Sequence, residues 1–211
     1  MILSILTPAV PSRIAQLGKL CDHIGAQIGD LRVEHLVLLD NKRRSVGEKR
    51  DALLRAARGQ YVAFVDDDDW VSNDYVREIC EAAAKEPSVI TFLQGANVNG
   101  KVAFVEFKLG NPNDPFTGSA VGAGNIHSIP RVRRNAWHVC AWRRALAVQS
   151  SFPATNYGED WAFARPLTEL VGLREIHIPL VLHFYRHDER TTEAPPPMTD
   201  PRQSVAAGQD S

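Results

Sequence analysis

The chain has 211 residues, 44% of them hydrophobic, enough for a substantial core and too apolar for a disordered chain. A formal net charge of −1 excludes a global field that would draw in nucleic acid or an anionic membrane. Three widely spaced cysteines (Cys21, Cys80 and Cys140) exclude a disulfide framework or a cysteine metal site and suggest a reducing compartment.

The first residues, Met1-Ile2-Leu3-Ser4-Ile5-Leu6, lack a basic leader and a cleavage site, so they read as a first strand and not a signal peptide. No apolar run approaches the roughly 18–20 residues that a membrane span needs. The expected location is cytoplasmic. The expected first strand is Ile2–Leu6, stopped by Thr7-Pro8. Residues 12–29 have helical spacing, with Ser12 as the expected N-cap. His35–Leu39 is a second strand ending in Asp40-Asn41, and Val46–Arg58 a helix stopped by Gly59. Tyr61–Val65 is a third strand, Asn73–Lys85 a helix, and Val89–Leu93 and Val102–Phe107 further strands. Residues 108–135 are rich in Gly and Pro and form a long connection. Within it, Gly118–Gly124 lacks the Walker pattern and reads as a mobile loop, not a phosphate cradle. Trp137–Val148 is a strand or short helix, a helix begins near Glu159, and Ile176–Phe184 is a last strand. Residues 191–211 read as a disordered tail. Alternating strands and helices predict an α/β fold with a mostly parallel central sheet and helices on both faces. Ligands bind such sheets at the carboxyl ends of the strands, where Thr7-Pro8 and Asp40 fall.

The third strand runs directly into four consecutive carboxylates, Asp66-Asp67-Asp68-Asp69. Two unit charges about 4 Å apart repel by roughly 4 kcal/mol at an effective dielectric near 20. A cluster at the end of a hydrophobic strand therefore asks for a cation, and a divalent metal with oxygen ligands is the natural one. In an extended chain Asp66 and Asp68 share one side, about 6.5–7 Å apart. Two basic segments, residues 42–58 and 131–144, flank the tetrad and suit an anionic ligand.

These residues resemble the family 2 glycosyltransferases of the GT-A (Rossmann-like) fold over residues 1–190. The likeness rests on Thr7-Pro8 with Arg13, on Asp40, and on Val46-Gly47-Glu48-Lys49-Arg50-Asp51-Ala52 leading into Phe64-Val65 and the tetrad. It is completed by Trp142-Arg143-Arg144 followed by Gly158-Glu159-Asp160-Trp161. The resemblance implies a nucleotide-binding part (residues 1–107) and an acceptor and catalytic part (residues 108–190). It implies that Pro8, Arg13, Asp40 and Arg50 line the nucleotide pocket, that Asp66 and Asp67 face the nucleotide with one or the other bonding the ribose, and that Asp68 holds Mn²⁺ or Mg²⁺. Asp160 matches the family's base. His187 fits the place of an additional metal ligand, with His183 as the competing candidate. The family has Asn where this chain has Asp51, and often Pro where it has Asn73.

The implied reaction is inverting transfer of a sugar from a nucleotide-diphosphate donor, usually a UDP-sugar, to an acceptor hydroxyl. Trp137, Trp142 and Trp161 are expected acceptor contacts, because aromatic faces stack on sugar rings, and Glu159 beside Asp160 is expected with them. Saccharides and glycolipids are the expected acceptors, with a modified nucleic-acid base as a further one. Two other readings stand beside this one. A nucleotidyltransferase of related fold would carry a Gly-rich signature after the first strand, and Thr7–Arg13 has none. A metal- or nucleotide-binding domain without activity would have no need of Asp160.

Overall fold

The computed structural model describes residues 1–120 and 129–187. The expected tail, Gly122 and Gly124 lie outside the described residues. One sheet of ten strands organises them. Strand β1 (Leu3–Ala9) leads through a 3₁₀ turn at Pro11–Arg13 into α1 (Ile14–Ile28), followed by β2 (Val33–Leu39) and α2 (Val46–Ala56). Next come β3 (Tyr61–Phe64), β4 (Trp70–Val71), α3 (Tyr75–Ala83), β5 (Val89–Val98) and β6 (Lys101–Phe107). The remainder is β7 (Ser119–Ala120), β8 (Arg131–Arg134), β9 (Ala141–Arg143), α4 (Arg144–Ala147), α5 (Glu159–Thr168) and β10 (Glu175–His187).

The strand order is β2-β1-β3-β9-β5-β10-β4, with β6 on β5 and with β7 and β8 on β6. The long ladders β1–β2 and β5–β10 are parallel, β9 and β4 run antiparallel to their neighbours, and β6 is antiparallel to β5 and β7 but parallel to β8. Helices cover both faces. Leu20 and Ile24 of α1 join Tyr75, Val76 and Ile79 of α3 in one buried cluster. Leu53 and Leu54 of α2 join Phe163 and Leu167 of α5 in the other.

Several local expectations are corrected, each for a physical reason. Strand β1 does not stop at Thr7-Pro8 but pairs with β2 as far as Ala9. The amides of Tyr61 and Val65 in and beside β3 bond to the carbonyls of Ile2 and Leu6, so alternate β1 residues face β3. Pro8 therefore turns its missing N–H toward the side where β3 has ended, and no ladder bond is lost. Helix α1 begins after a 3₁₀ turn, without a side-chain cap from Ser12. Helix α2 opens on a capping box between Ser45 and Glu48. It ends before Gly59, whose role is close packing: a Cβ there would sit 2.5 Å from the Ser4 amide nitrogen. Strands β5 and β6 are longer than expected because they form one hairpin. Asn99 and Gly100 close it with φ of 52° and 79°, the positive values that a two-residue turn requires. Pro179 lies inside β10, where the register against β5 shifts and a missing donor is tolerated.

Candidate active site

The carboxyl ends of β1, β2 and β3 bring Arg13, Asp40 and the tetrad to one edge of the sheet. The tetrad is a turn, not an extended chain: the Asp69 amide donates to the Asp66 carbonyl at 3.1 Å. The four carboxylates therefore point in different directions and meet different partners.

Asp66 accepts two bonds from Arg50 Nη2, at 2.8 and 2.7 Å. Burial works against its ionisation, but Arg50 outweighs that cost and holds the carboxyl below its usual range. The other terminal nitrogen of Arg50 bonds Glu159 at the start of α5. Arg50 and Glu159 are both buried, so this pair is an internal brace between the tetrad and α5. Glu159 was expected among the acceptor contacts; one of its oxygens is instead held by Arg50. Asp67 was expected to face the nucleotide, as one of two candidates for the ribose. It is only 3% exposed, and its two oxygens accept from the Val10 amide and from Arg13 Nη1. Its charge is spent fixing the loop after β1.

Asp66 and Asp68 keep similar side-chain surface, 30% and 27%, but they differ in partners: among the described residues Asp68 contacts only Arg13 Nη2, at 3.0 Å, and it lines a cavity of about 540 Å³ with Trp70, Phe104, Phe184 and Arg186. Burial, and then the charge of Asp66, push its carboxyl up to about 6, and Arg13 opposes them. Asp69 turns inward, and burial with Asp66 and Asp68 pushes it well above the usual carboxylate range. At the end of β2, neither oxygen of Asp40 has a hydrogen-bond partner; Lys49 Nζ lies 3.4 Å away and donates to the Ala9 carbonyl. Pro8 is buried in β1.

A second cavity, of about 490 Å³, holds Asp66, Trp137, His138, Asp160 and Tyr185. Asp160 Oδ2 accepts from Trp137 Nε1 at 3.2 Å, and its Oδ1 accepts from the Trp161 amide at 2.7 Å. The carboxylate is therefore oriented and yet remains 32% exposed. His138 Nδ1 is 4.0 Å from Asp160 Oδ2 and has no hydrogen-bond partner. Burial, and then Arg50, push this imidazole down to about 4, so it is neutral at pH 7.

Trp142 was expected to meet the acceptor, and the structure overturns that. It is fully buried, and its Nε1 donates to the Trp137 carbonyl at 2.9 Å, bracing the residue that orients Asp160. Trp161 is 47% exposed and stacks with Arg165 outside the Asp160 cavity. His187 ends β10 with its ring stacked on Tyr185, and no polar contact joins it to Asp68 among the described residues. His183 is fully buried, with Nε2 3.4 Å from Asp69 Oδ2. The Arg50–Glu159 brace and the setting of Asp69 carry no sequence signal, because their partners are more than 100 and about 114 residues away in the chain respectively.

Residues 24–144 match the family described as Glycosyl transferase family 2. The chain belongs to that family. A putative glycosyltransferase of Bacillus subtilis (strain 168), EpsH, is 30% identical over 53 residues, which are 25% of this chain and 15% of EpsH. Crystal structures of S. aureus TarS share the fold. TarS 1–349 in complex with UDP-GlcNAc superposes with a TM-score of 0.61 at 16% identity, over 92% of this chain and 62% of that one. A further TarS structure gives a TM-score of 0.58 at 16% identity, over 88% of this chain and 37% of that one. The chain thus spans less than two thirds of the length of each of these relatives. The fold is that of the GT-A glycosyltransferases.

For this family a divalent cation is the implied cofactor. Among the described residues no group of three His, Cys, Asp or Glu side chains is arranged to hold a metal ion. The fit is still good for a cation shared with a bound diphosphate. Asp68 is a partly open carboxylate in strongly negative surroundings, and Mg²⁺-type ions use one or two carboxylates with phosphate oxygens completing the shell. Among the described residues no helix is long and apolar enough to cross a membrane.

Proposed function

We propose that the protein transfers a sugar from a nucleoside-diphosphate donor to an acceptor hydroxyl, with inversion at the anomeric carbon. The observation that carries this reading is Asp160: an oriented, partly exposed carboxylate in a cavity shared with Asp66. Asp160 takes the proton of the acceptor hydroxyl as that oxygen forms its bond to the anomeric carbon. The bond from that carbon to the diphosphate breaks in the same displacement, and the diphosphate carries the electron pair away. A single base acting in one direct displacement suits inversion. A base placed in this way contributes about 10²–10⁴-fold.

On this reading the donor lies along the strand ends. Asp40, whose oxygens have no hydrogen-bond partner, accepts from the nucleobase, and Arg13 lies beside the diphosphate. Asp68, with His187 as a further candidate, holds Mn²⁺ or Mg²⁺, which supplies charge neutralisation for the leaving group. Arg50 acts from beneath, keeping Asp66 and α5 in register and not touching phosphate itself. Residues up to 107 then serve the donor and later ones the acceptor. The UDP-GlcNAc complex of TarS supports a UDP-sugar donor. A saccharide or glycolipid acceptor and a cytoplasmic location belong to the same proposal. The test is a screen of nucleotide-sugar hydrolysis and transfer with Mn²⁺, with Mg²⁺ and with a chelator. Turnover of a UDP-sugar that the chelator abolishes is expected. Turnover indifferent to the chelator overturns the role of Asp68.

A further inference from the structure

The turn carrying the four aspartates is tied to the sheet beneath it by two residues that the proposed reaction does not use. Gln94 lies in β5 and His183 in β10, directly opposite each other in the parallel ladder. Both are buried, and His183 is fully so. Gln94 Nε2 donates to His183 Nδ1 at 2.9 Å. A ring nitrogen that accepts a hydrogen bond carries no proton, so the proton of the neutral ring sits on Nε2. Burial pushes the imidazole down to about 4, which keeps the ring neutral at pH 7.

The Nε2 atom has no hydrogen-bond partner among the described residues, and the nearest acid is Asp69 Oδ2 at 3.4 Å. Asp69 Oδ1 is likewise buried and unpartnered. The unpartnered Nε2 faces Asp69 Oδ2 across 3.4 Å, a contact that closes with a small movement of the turn. Catalytic-site hydrogen bonds are often long before substrate binds and tighten afterwards. The geometry leaves the turn little other freedom. The Asp69 amide is held by the Asp66 carbonyl, and directly after Asp69, β4 pairs with β10 through Trp70↔Phe184 and Val71↔His183. His183 thus grips both the side chain that ends the tetrad and the strand that follows it.

We infer that Gln94 and His183 are positioning residues: Gln94 fixes the imidazole as the Nε2–H tautomer, and His183 directs that proton to Asp69, setting the angle at which Asp68 faces its cavity. The effect on Asp68 rests on the donor-binding reading above, whereas the tautomer does not.

The experiment uses the full chain in two arms. Long-range ¹H–¹⁵N NMR reads the His183 tautomer directly, and titration with Mn²⁺ and UDP by calorimetry reads the site. The Nε2–H form is expected in the wild type, and the Nδ1–H form overturns the inference. Gln reproduces the position of Nε2–H and Asn does not. His183→Gln is therefore expected to bind Mn²⁺·UDP within about threefold of wild type, and His183→Asn and Gln94→Leu at least tenfold more weakly. All three are compared per folded molecule, with folding checked by circular dichroism. A merely structural role would weaken His183→Gln and His183→Asn alike, and that result also overturns the inference. If the wild type binds no Mn²⁺·UDP, the donor reading fails and the NMR arm alone decides the tautomer.

Discussion

Asp66 and Asp67 sit beside Asp68 in the chain and yet belong to a different kind of region. The first two are locked: Arg50 takes both oxygens of Asp66, and Arg13 with the Val10 amide takes those of Asp67. Asp68, Asp40 and Asp160 are open in the sense that none has both oxygens held with a cation among the partners: among the described residues Asp68 meets only Arg13 Nη2, Asp40 has no hydrogen bond to either oxygen, and Asp160 is held by two neutral N–H groups. A locked carboxylate contributes to the fold, and an open one costs stability and is available for a ligand. The density of negative charge marks where the site is. The division into locked and open members says which residues can touch a substrate.

The largest way to break this division is to remove the lock. Arg50→Met leaves Asp66 and Glu159 buried without their cation, and breaking a buried pair in this way costs about 3–5 kcal/mol. Denaturant unfolding is expected to show that loss, together with slackening of α5 against the tetrad. A loss below about 1 kcal/mol would mean that Arg50 is not the brace.

Acid attacks the interior next. His35, His138 and His183 are each held down to about 4 by burial, against 6.5 for the free ring. The unfolded chain takes up these protons below pH 6.5 while the folded one resists until about 4. Their stabilising contribution is therefore complete above pH 6.5 and is lost as pH falls toward 4. Each is worth at most about 3 kcal/mol, and less in sum because His138 and His183 interact. Thermal melts between pH 7.5 and 4.5 are expected to show a steep fall, and a flat profile would contradict the buried neutral rings.

Asp68→Asn gives the opposite sign at a smaller size. The Asp68 carboxyl is raised to about 6, so the folded state favours its protonated form, and that preference is lost as pH rises through 6. At pH 7.5 the neutral amide is expected to stabilise the metal-free protein by about 1–2 kcal/mol, and to weaken Mn²⁺·UDP binding at least tenfold. A variant that is both less stable and unchanged in binding would place Asp68 among the locked residues.

The first half of the sheet was legible because its signals are local: the alternation of β1 to β3, the apolar stripe of α2 and the acidic break after Phe64. Asp68 and Asp160 were singled out through the family resemblance, since a carboxylate at an element end looks the same in a cap and in a site. What stayed hidden depends on contacts across the chain. Arg50 finds Glu159 across 109 residues and Gln94 finds His183 across 89. Trp142 looked like a sugar platform because an indole reads the same in a core and in a cleft. Its complete burial separates the two, and no periodicity in Trp137–Val148 could have done so.

The most direct test of the account sets Asp160→Asn against wild type, measuring UDP-sugar binding by calorimetry and transfer by single-turnover kinetics. The account predicts donor affinity within about threefold of wild type and a transfer rate lower by at least about 10²-fold. A variant that transfers sugar at the wild-type rate would contradict the assignment of the base, and with it the claim that the open carboxylates carry the chemistry.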